Sequence, residues 1–213
     1  MPEILYQDAS VVVCVKPVGA LSQGTGAQTL PELLKAQLGG GIYPVHRLDQ
    51  PVGGVMVYAR TPQAAAALSA SMQAESSGKI YLAVTEKAPA APEGTLCDLL
   101  FFDRSRNKSY PVRRRRAGVK DARLHYRVVA AAEGLTLVRV QLETGRTHQI
   151  RVQFASRGMP LLGDGKYGSR DKRCTAALWS AELRFVHPLS GQAMHFTAAP
   201  PEQFPWTLFS YSL

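Results

Sequence analysis

The apolar residues of this chain occur in short runs, many of them β-branched, separated by polar segments that contain Gly and Pro. Runs of this kind are typical of β-strands, and alternation with polar residues marks strands that have one solvent-facing side. We expect the first two runs to pair as a hairpin. The predicted strands are residues 4–6, 11–15, 55–58, 80–84, 123–129, 135–142, 178–186 and 193–197.

Two segments carry clear helix signals. Residues 29–38 start at Thr29, a candidate N-cap, and are followed by three glycines that end a helix. Residues 61–73 are rich in alanine, with Thr61 as the expected N-cap and Pro62 at the first helical position. Both segments are therefore predicted to be helices.

Residues 147–156 fit two patterns, since their apolar positions alternate as in a strand and also share one helical face. We favour a helix, because Gly145 provides a turn and Thr147 can cap the segment that follows. Residues 87–94 contain two prolines and are predicted to be a loop, and residues 103–119 are polar and strongly basic.

The predicted strands are spread over the whole chain, and neither an internal repeat nor a long linker interrupts them. This organisation predicts one α+β domain over residues 1–213, with a mostly antiparallel mixed sheet flanked by helices and loops. We expect no separate N-terminal RNA-binding domain.

Net charge, the length of apolar runs and cysteine usage limit the classes of partner and the cellular compartment. The 25 Lys and Arg residues against 16 Asp and Glu residues give a formal net charge of +9, which favours a polyanionic partner. No apolar stretch reaches the roughly 18 residues of a membrane span, and no signal peptide is expected at the start. Cys14, Cys97 and Cys174 are odd in number and far apart, which indicates a reducing cytoplasm rather than disulfides or a cysteine zinc site.

Three segments carry candidate chemistry, and the first is PVHRLDQPVGG at residues 44–54. Arg47 and Asp49, flanked by Pro and Gly, indicate a rigid loop that presents a carboxylate. The alternative is a surface turn with local ion pairs. The second segment, GKIYLAV at residues 78–84, places Lys79 and Tyr81 on one face of a strand, where a tyrosine most often serves packing.

The third segment is LETGRTHQIRV at residues 142–152. The predicted helix start, with Arg146 and His148, offers amide donors and positive charge to a phosphate. Arg151 lies one turn into that helix. The alternative interpretation is a solvated basic helix.

Taken together and in this order, HRLD at 46–49, KIYLAV at 79–84, TGRTHQIRV at 144–152 and LLGD at 161–164 resemble the catalytic domain of the RluA-type pseudouridine synthases. The resemblance runs from about residue 4 to about residue 200. One departure is Val52-Gly53-Gly54, which stands where the family usually has Thr-Ser-Gly, so that two hydroxyl groups are missing beside the loop.

The resemblance implies an isomerase that converts uridine in RNA to pseudouridine. The bond from the sugar to a uracil nitrogen breaks, the base rotates, and it rejoins through carbon, so neither a cofactor nor a metal is needed. The histidines show no zinc-type spacing with Cys or carboxylates, in agreement with this expectation.

By the same resemblance, Asp49 is the catalytic carboxylate, either as a nucleophile or as the base that takes a proton from the sugar. Arg151 is implied to pair with it; at ~4 Å and an effective dielectric of ~20 the attraction is of order 4 kcal/mol before desolvation. Tyr81 is implied to stack on uracil and to move the proton from carbon. Arg47 is implied to fill the space that the flipped nucleotide leaves, and His46 to support the loop.

Further cations are predicted to hold the RNA backbone. They are Lys79, Lys108, Arg113, Arg114, Arg115, Arg116, Arg146 and His148. A flexible solvated loop is the alternative for the run of four arginines, but Tyr110, Pro111 and Val112 favour an ordered strand edge. We expect a monomer that acts on a structured stem-loop of ribosomal or transfer RNA, without a membrane partner.

Three other functions compete with this interpretation. A non-catalytic RNA-binding protein on the same fold is compatible with the Val52-Gly53 departure. A kinase catalytic loop contains a similar His-Arg-Asp, but this chain has neither a Gly-rich nucleotide loop nor Asp-Phe-Gly. DNA binding depends on the charge alone.

Overall fold

The computed structural model describes residues 1–26, 29–72 and 78–211. Two compact units are present: Met1–Lys79 with Trp179–Pro200, and Ile80–Leu178 with Pro201–Leu213. In chain order the elements are β1 (Glu3–Gln7), β2 (Val11–Lys16), α1 (Leu30–Leu38), β3 (Tyr43–Pro44), β4 (Gly53–Ala59), α2 (Pro62–Ser71), β5 (Gly78–Thr85), β6 (Glu93–Asp103), β7 (Lys108–Val112), β8 (Val119–Ala132), β9 (Leu135–Leu142), α3 (Gln149–Ala155), β10 (Leu178–Val186) and β11 (Ala193–Thr197), with 3-10 helices at Gly165–Tyr167 and Trp206–Leu208.

The first unit is built on strands in the order β1-β2-β4-β10, with β3 on β4 and β11 on β10. β1 and β2 form the predicted hairpin, because Asp8 in their turn accepts hydrogen bonds from the N–H groups of Ser10 and Val11. β4 pairs antiparallel with β2 and parallel with β10. All seven residues of β4 are buried, which explains its continuous apolar run.

Helix α2 packs its Leu68 and Met72 into the core of this unit, against valines of β2 and β4. The Thr61 side chain accepts a hydrogen bond from the Ala64 N–H at 3.1 Å, so the predicted N-cap is confirmed. The last residue of that predicted helix, Gln73, lies outside the described residues. In α1, Thr29 is the N-cap residue as predicted, but its hydroxyl donates to the Gly26 carbonyl and makes no side-chain cap bond to the helix.

The second unit has strands in the order β5-β9-β8-β6-β7, and β7, β6, β8 and β9 pair antiparallel. β6 is the main element that the sequence analysis missed, since it begins at Glu93, inside the predicted loop 87–94. Its burial does not alternate either, since Leu96 and Leu100, four residues apart, are its two buried residues. β7 lies at the end of the sheet order and confirms the expected strand edge within the basic segment.

Helix α3 confirms the helical interpretation of residues 147–156, but its start differs from the prediction. His148, not Thr147, is the N-cap residue, with a left-handed φ of 55° and no side-chain cap. The helix is buried from Gln149 to Phe154, so the alternative of a solvated basic helix is wrong. Fold class is as predicted, α+β with a mixed and mostly antiparallel sheet.

Gly54 joins the candidate loop to β4 and offers a direct test of this packing. Its φ is +116°, and a Cβ atom would lie 2.2 Å from the carbonyl oxygen of Ser180 on β10. We expect Gly54→Ala to lower the free energy of unfolding by about 3 kcal/mol or more, because backbone strain and strand separation add together.

The matched control is Gly134→Ala in the β8–β9 turn, where φ is +75° but no atom lies within 4 Å of the added Cβ. This change should cost only about 1–2 kcal/mol from the backbone. Urea denaturation of both variants measures the difference, and equal losses would show that the contact with Ser180 is unimportant.

Candidate active site

The loop that carries Asp49 lies in the first unit, between β3 and β4. Its turn is closed by the Val52 N–H, which donates to the Asp49 carbonyl at 3.0 Å, and the Gly19 N–H donates to the Gln50 carbonyl at 2.9 Å. Asp49 is half-buried. The loop is therefore an ordered turn that presents a carboxylate, as the sequence predicts.

Lys16, which the sequence analysis missed, forms hydrogen bonds with the backbone of this loop. Its side chain is fully buried, and Nζ donates to the carbonyl oxygens of Pro17, Gln50 and Val52 at 3.0, 3.2 and 2.7 Å. Burial lowers the pKa of Lys16 to about 8, although the charge of Asp49 acts in the opposite direction. A lysine directly after a fully apolar strand was the signal that could have identified it.

The two residues before Leu48 in the HRLD segment have different environments. His46 Nε2 accepts the Val57 N–H at 3.1 Å, which confirms its supporting role. Burial, together with the charge of Lys79, lowers the pKa of His46 to about 3, so its ring is neutral at physiological pH. Arg47 is exposed.

The Val52-Gly53 departure has a packing reason. A Cβ atom at position 53 would lie 2.4 Å from Cζ3 of Trp179 and 3.0 Å from the Lys16 carbonyl oxygen. The indole Nε1 of Trp179 donates to the Ala198 carbonyl at 2.9 Å, which fixes the ring. A serine at position 53 would therefore collide with the buried tryptophan.

β5 carries Lys79 in the first unit and Tyr81 in the second. Lys79 Nζ donates to the Met72 carbonyl at the end of α2 at 3.0 Å, and burial lowers its pKa. Tyr81 is buried. The roles that the sequence analysis assigns to these two residues stay predictions.

Arg151 is buried on α3 in the second unit, where it makes a bidentate ion pair with Asp164. Both Nε and Nη2 of the arginine lie 2.7 Å from a carboxylate oxygen of Asp164. The guanidinium also lies 5.2 Å from the ring centre of Tyr167. The sequence analysis included Asp164 in the LLGD motif but assigned no partner to it.

Tyr167 links three further polar groups in this unit. Its hydroxyl accepts the Ser109 N–H at 2.8 Å and lies 2.9 Å from Nδ1 of His148. Lys108 Nζ is 5.1 Å from the centre of the Tyr167 ring. His148, predicted to contact RNA, is a buried member of this cluster.

The basic run after β7 divides into two pairs. Arg115 donates to both carboxylate oxygens of Asp121 at 3.0 and 2.7 Å, and the Arg116 guanidinium lies 4.7 Å from the Phe101 ring centre. Arg113 and Arg114 are exposed, and no residue that the structure describes forms a side-chain hydrogen bond or ion pair with them.

Arg146 lies beside Asp121 as well, since its Nε donates to the Asp121 carbonyl at 2.7 Å.

Within residues 1–26, 29–72 and 78–211, no group of three His, Cys, Asp or Glu side chains could hold a metal ion. No helix in those ranges is long and apolar enough to cross a membrane.

Comparison with known proteins identifies the family. The family model described as RNA pseudouridylate synthase matches residues 10–156. The chain belongs to the RNA pseudouridylate synthase family. The predictions of family and class of enzyme, an RNA pseudouridine synthase, are thereby confirmed, and the kinase interpretation of the HRLD segment is wrong.

Named relatives and solved structures agree with this assignment. The chain is 35% identical over 202 residues to "Uncharacterized RNA pseudouridine synthase YhcT" of Bacillus subtilis, covering 89% of this chain and 66% of the relative. It is 33% identical to "Ribosomal large subunit pseudouridine synthase D" of Zymomonas mobilis, covering 94% of this chain and 69% of the relative. This synthase thus spans about two thirds of the length of these relatives.

Among solved structures, "Human RNA Pseudouridylate Synthase Domain Containing 1" superimposes with a TM-score of 0.80 at 21% identity, over 95% of this chain and 85% of that one. "Human RNA Pseudouridylate Synthase Domain Containing 4" gives 0.78 at 24% identity, over 97% and 91%. Both similarities support the fold of this synthase.

Replacing Lys16 tests its part in the loop. We expect Lys16→Met to lower the free energy of unfolding at pH 7 by about 2 kcal/mol, because three buried carbonyls lose a donor while a buried charge is removed. The folded-state pKa lies below the ordinary value of 10.5. Between about pH 8 and 10.5 the unfolded chain binds more protons, so the wild type should gain stability over the variant as pH rises.

Urea denaturation of both proteins at pH 7 and at pH 9.5 measures this change. Lys35→Met on the exposed side of α1 is the control and should stay within about 0.5 kcal/mol of the wild type. A difference between wild type and Lys16→Met that is constant or shrinks with pH would contradict the burial of a charged amine.

Proposed function

We propose that this synthase isomerises uridine to pseudouridine in a structured stem-loop of ribosomal or transfer RNA, with Asp49 as its catalytic carboxylate. The observation that carries the proposal is the ordered turn of Asp49, which lies inside the matched family region. Its backbone is held by buried donors of Lys16. A carboxylate on such a turn has little freedom to move, as catalysis by orientation requires.

The reaction needs an ionised carboxylate on either of two routes. Asp49 attacks the anomeric carbon as the uracil nitrogen departs, or it removes a proton from the neighbouring sugar carbon. On the second route too, the bond to the uracil nitrogen breaks as the proton leaves the sugar carbon. The rotated base then bonds to the anomeric carbon through its own carbon; this displaces the carboxylate from its ester on the first route, and on the second the carboxyl group returns its proton to the sugar carbon. The bonded uracil carbon finally loses its proton, and a uracil nitrogen is reprotonated. The buried Lys16 Nζ holds the backbone of the loop that carries this carboxylate, through the carbonyls of Gln50 and Val52.

Two further residues are proposed to act in the reaction. Tyr81 stacks on uracil and takes part in the proton transfer from carbon. Arg151 supplies positive charge for the catalytic carboxylate, and its pairing with Asp164 supports this role by fixing the direction of the guanidinium.

The remaining cations are proposed to hold RNA. All four arginines of the run are exposed, and Arg113 and Arg114 are the best candidates because Arg115 and Arg116 are engaged by Asp121 and Phe101. Arg47 is proposed to fill the space of the flipped nucleotide. The other residues proposed to contact RNA, as in the sequence analysis, are Lys79, Lys108, Arg146 and His148.

The names of relatives bear on the class of RNA substrate, and the cysteines bear on the cellular compartment. Zymomonas, Pseudomonas and Xanthomonas relatives are named for the large ribosomal subunit, which supports a ribosomal RNA substrate. Cys14, Cys97 and Cys174 are free thiols. We propose a single catalytic domain that works as a monomer in the reducing cytoplasm.

Asp49→Ala should reduce tritium release from carbon 5 of uracil in transcribed RNA by at least about 1000-fold, because the reacting group is lost. RNA affinity should change less than about twofold. Asp171→Asn, which changes a half-buried carboxylate paired with Arg173, is the control and should keep full activity. Release that persists in Asp49→Ala would refute the assignment.

Arg113→Gln combined with Arg114→Gln should weaken RNA binding by about tenfold and reduce the slope of log affinity against log salt by about 1.4–1.8, for two lost phosphate contacts. The matched variant, Arg115→Gln with Arg116→Gln, should change the slope less, since Asp121 and Phe101 already engage these side chains. Equal slopes for the two double variants would contradict the division into two pairs. Titration at several salt concentrations measures both quantities.

A further inference from the structure

Two buried hydroxyl groups reach the catalytic loop from other segments of the first unit. Ser22 donates from Oγ to the carbonyl oxygen of Leu48 at 2.8 Å, and the Tyr58 hydroxyl donates to the backbone carbonyl of Ser22 at 2.8 Å. Ser22 is 4% exposed and Tyr58 is fully buried. The two bonds form a chain from β4 to the peptide that precedes Asp49.

We propose that Ser22 and Tyr58 are positioning residues for Asp49, which supply from outside the loop the hydroxyl groups that Val52 and Gly53 do not provide within it. The proposal rests on the catalytic role given to Asp49 above. Neither residue is assigned contact with RNA, and both act through the backbone.

The geometry shows why the bond to Leu48 matters. The Leu48 carbonyl belongs to the peptide that ends at the Asp49 nitrogen, so its direction sets the rotation of the Asp49 backbone. On the other side, the Asp49 carbonyl accepts the Val52 N–H, and Lys16 and Gly19 hold the carbonyl of the next peptide, that of Gln50. The peptides before and after the catalytic residue are therefore both anchored, and loss of one anchor leaves Asp49 free to rotate.

Tyr58 anchors Ser22 in turn. Burial raises the pKa of Tyr58 above its usual value, so the hydroxyl remains a donor wherever the protein is folded. The ring lies on β4, whose residues are all buried, which gives the donor a fixed origin. Ser22, by contrast, lies in a segment without regular structure and needs such an anchor to keep its Oγ aimed at Leu48.

The test uses Ser22→Ala, Tyr58→Phe and the double variant of the full chain. We expect each single variant to lose about tenfold in the single-turnover rate of pseudouridine formation at saturating enzyme, the factor expected when one buried hydrogen bond is removed. RNA affinity should stay within about twofold. Because Tyr58 acts through Ser22, the double variant should lose far less than the product of the two single losses.

Thr85→Val is the matched control. This buried hydroxyl also donates to a backbone carbonyl, that of Lys87 at 2.9 Å, but it belongs to the second unit and has no part in the loop. It should lower the melting temperature as the other variants do while it leaves the rate unchanged. Ser22→Thr, which keeps a hydroxyl, should recover most of the activity that Ser22→Ala loses.

Hydrogen exchange of the Val52 and Gly19 amides gives a readout that does not depend on activity. Both should exchange about tenfold faster in Ser22→Ala and Tyr58→Phe than in the wild type, relative to amides of β4. If rates and exchange match those of Thr85→Val, the proposal is overturned and the two bonds are only structural. If the wild type forms no pseudouridine, the proposed function fails, and the exchange data alone decide this inference. Tyr58→Phe keeps the test open if Ser22→Ala does not fold.

Discussion

The buried amine of Lys16 is the interaction on which the candidate loop depends. A charged group without solvent must find acceptors, and here three backbone carbonyls of two chain segments accept its three N–H donors. Two of those carbonyls belong to the loop, so the need to satisfy the lysine also fixes the turn after Asp49. One buried amine thereby fixes the geometry of the loop that carries the carboxylate.

In the second unit a buried cation is again fixed by its acceptors, but here the acceptors are the oxygens of a carboxylate instead of backbone carbonyls. Arg151 is buried on α3, and Asp164 accepts two hydrogen bonds from it, so the charge and direction of the guanidinium are determined together. Arg113 and Arg114 after β7 differ, because they are exposed and no described residue forms a side-chain hydrogen bond or ion pair with them. Solvent satisfies these two guanidinium groups, so they remain adaptable to an RNA backbone.

The loop departs from the family pattern at Val52 and Gly53, and the residues packed around these two positions differ in role. Gly53 makes room for the Trp179 ring, and a side chain at this position would require the tryptophan to move. The missing hydroxyls are accompanied by buried hydroxyls of Ser22 and Tyr58 that reach the loop from elsewhere. The order of this loop therefore depends on hydrogen bonds from other segments as well as on its own residues.

Local features of the sequence predicted the eight strands and the three helices. Apolar runs and alternation indicated the strands, whereas N-cap residues, Pro, Gly and alanine content indicated the helices. The order of the HRLD, KIYLAV and TGRTHQIRV segments likewise indicated the family. Tertiary structure decided what surrounds these segments. β6 lacks strict alternation, and the partners of Lys16 and Ser22 in the loop lie up to 36 and 26 residues away. Contacts over such separations leave no periodic pattern in the chain, since only folding brings the donor and the acceptor together.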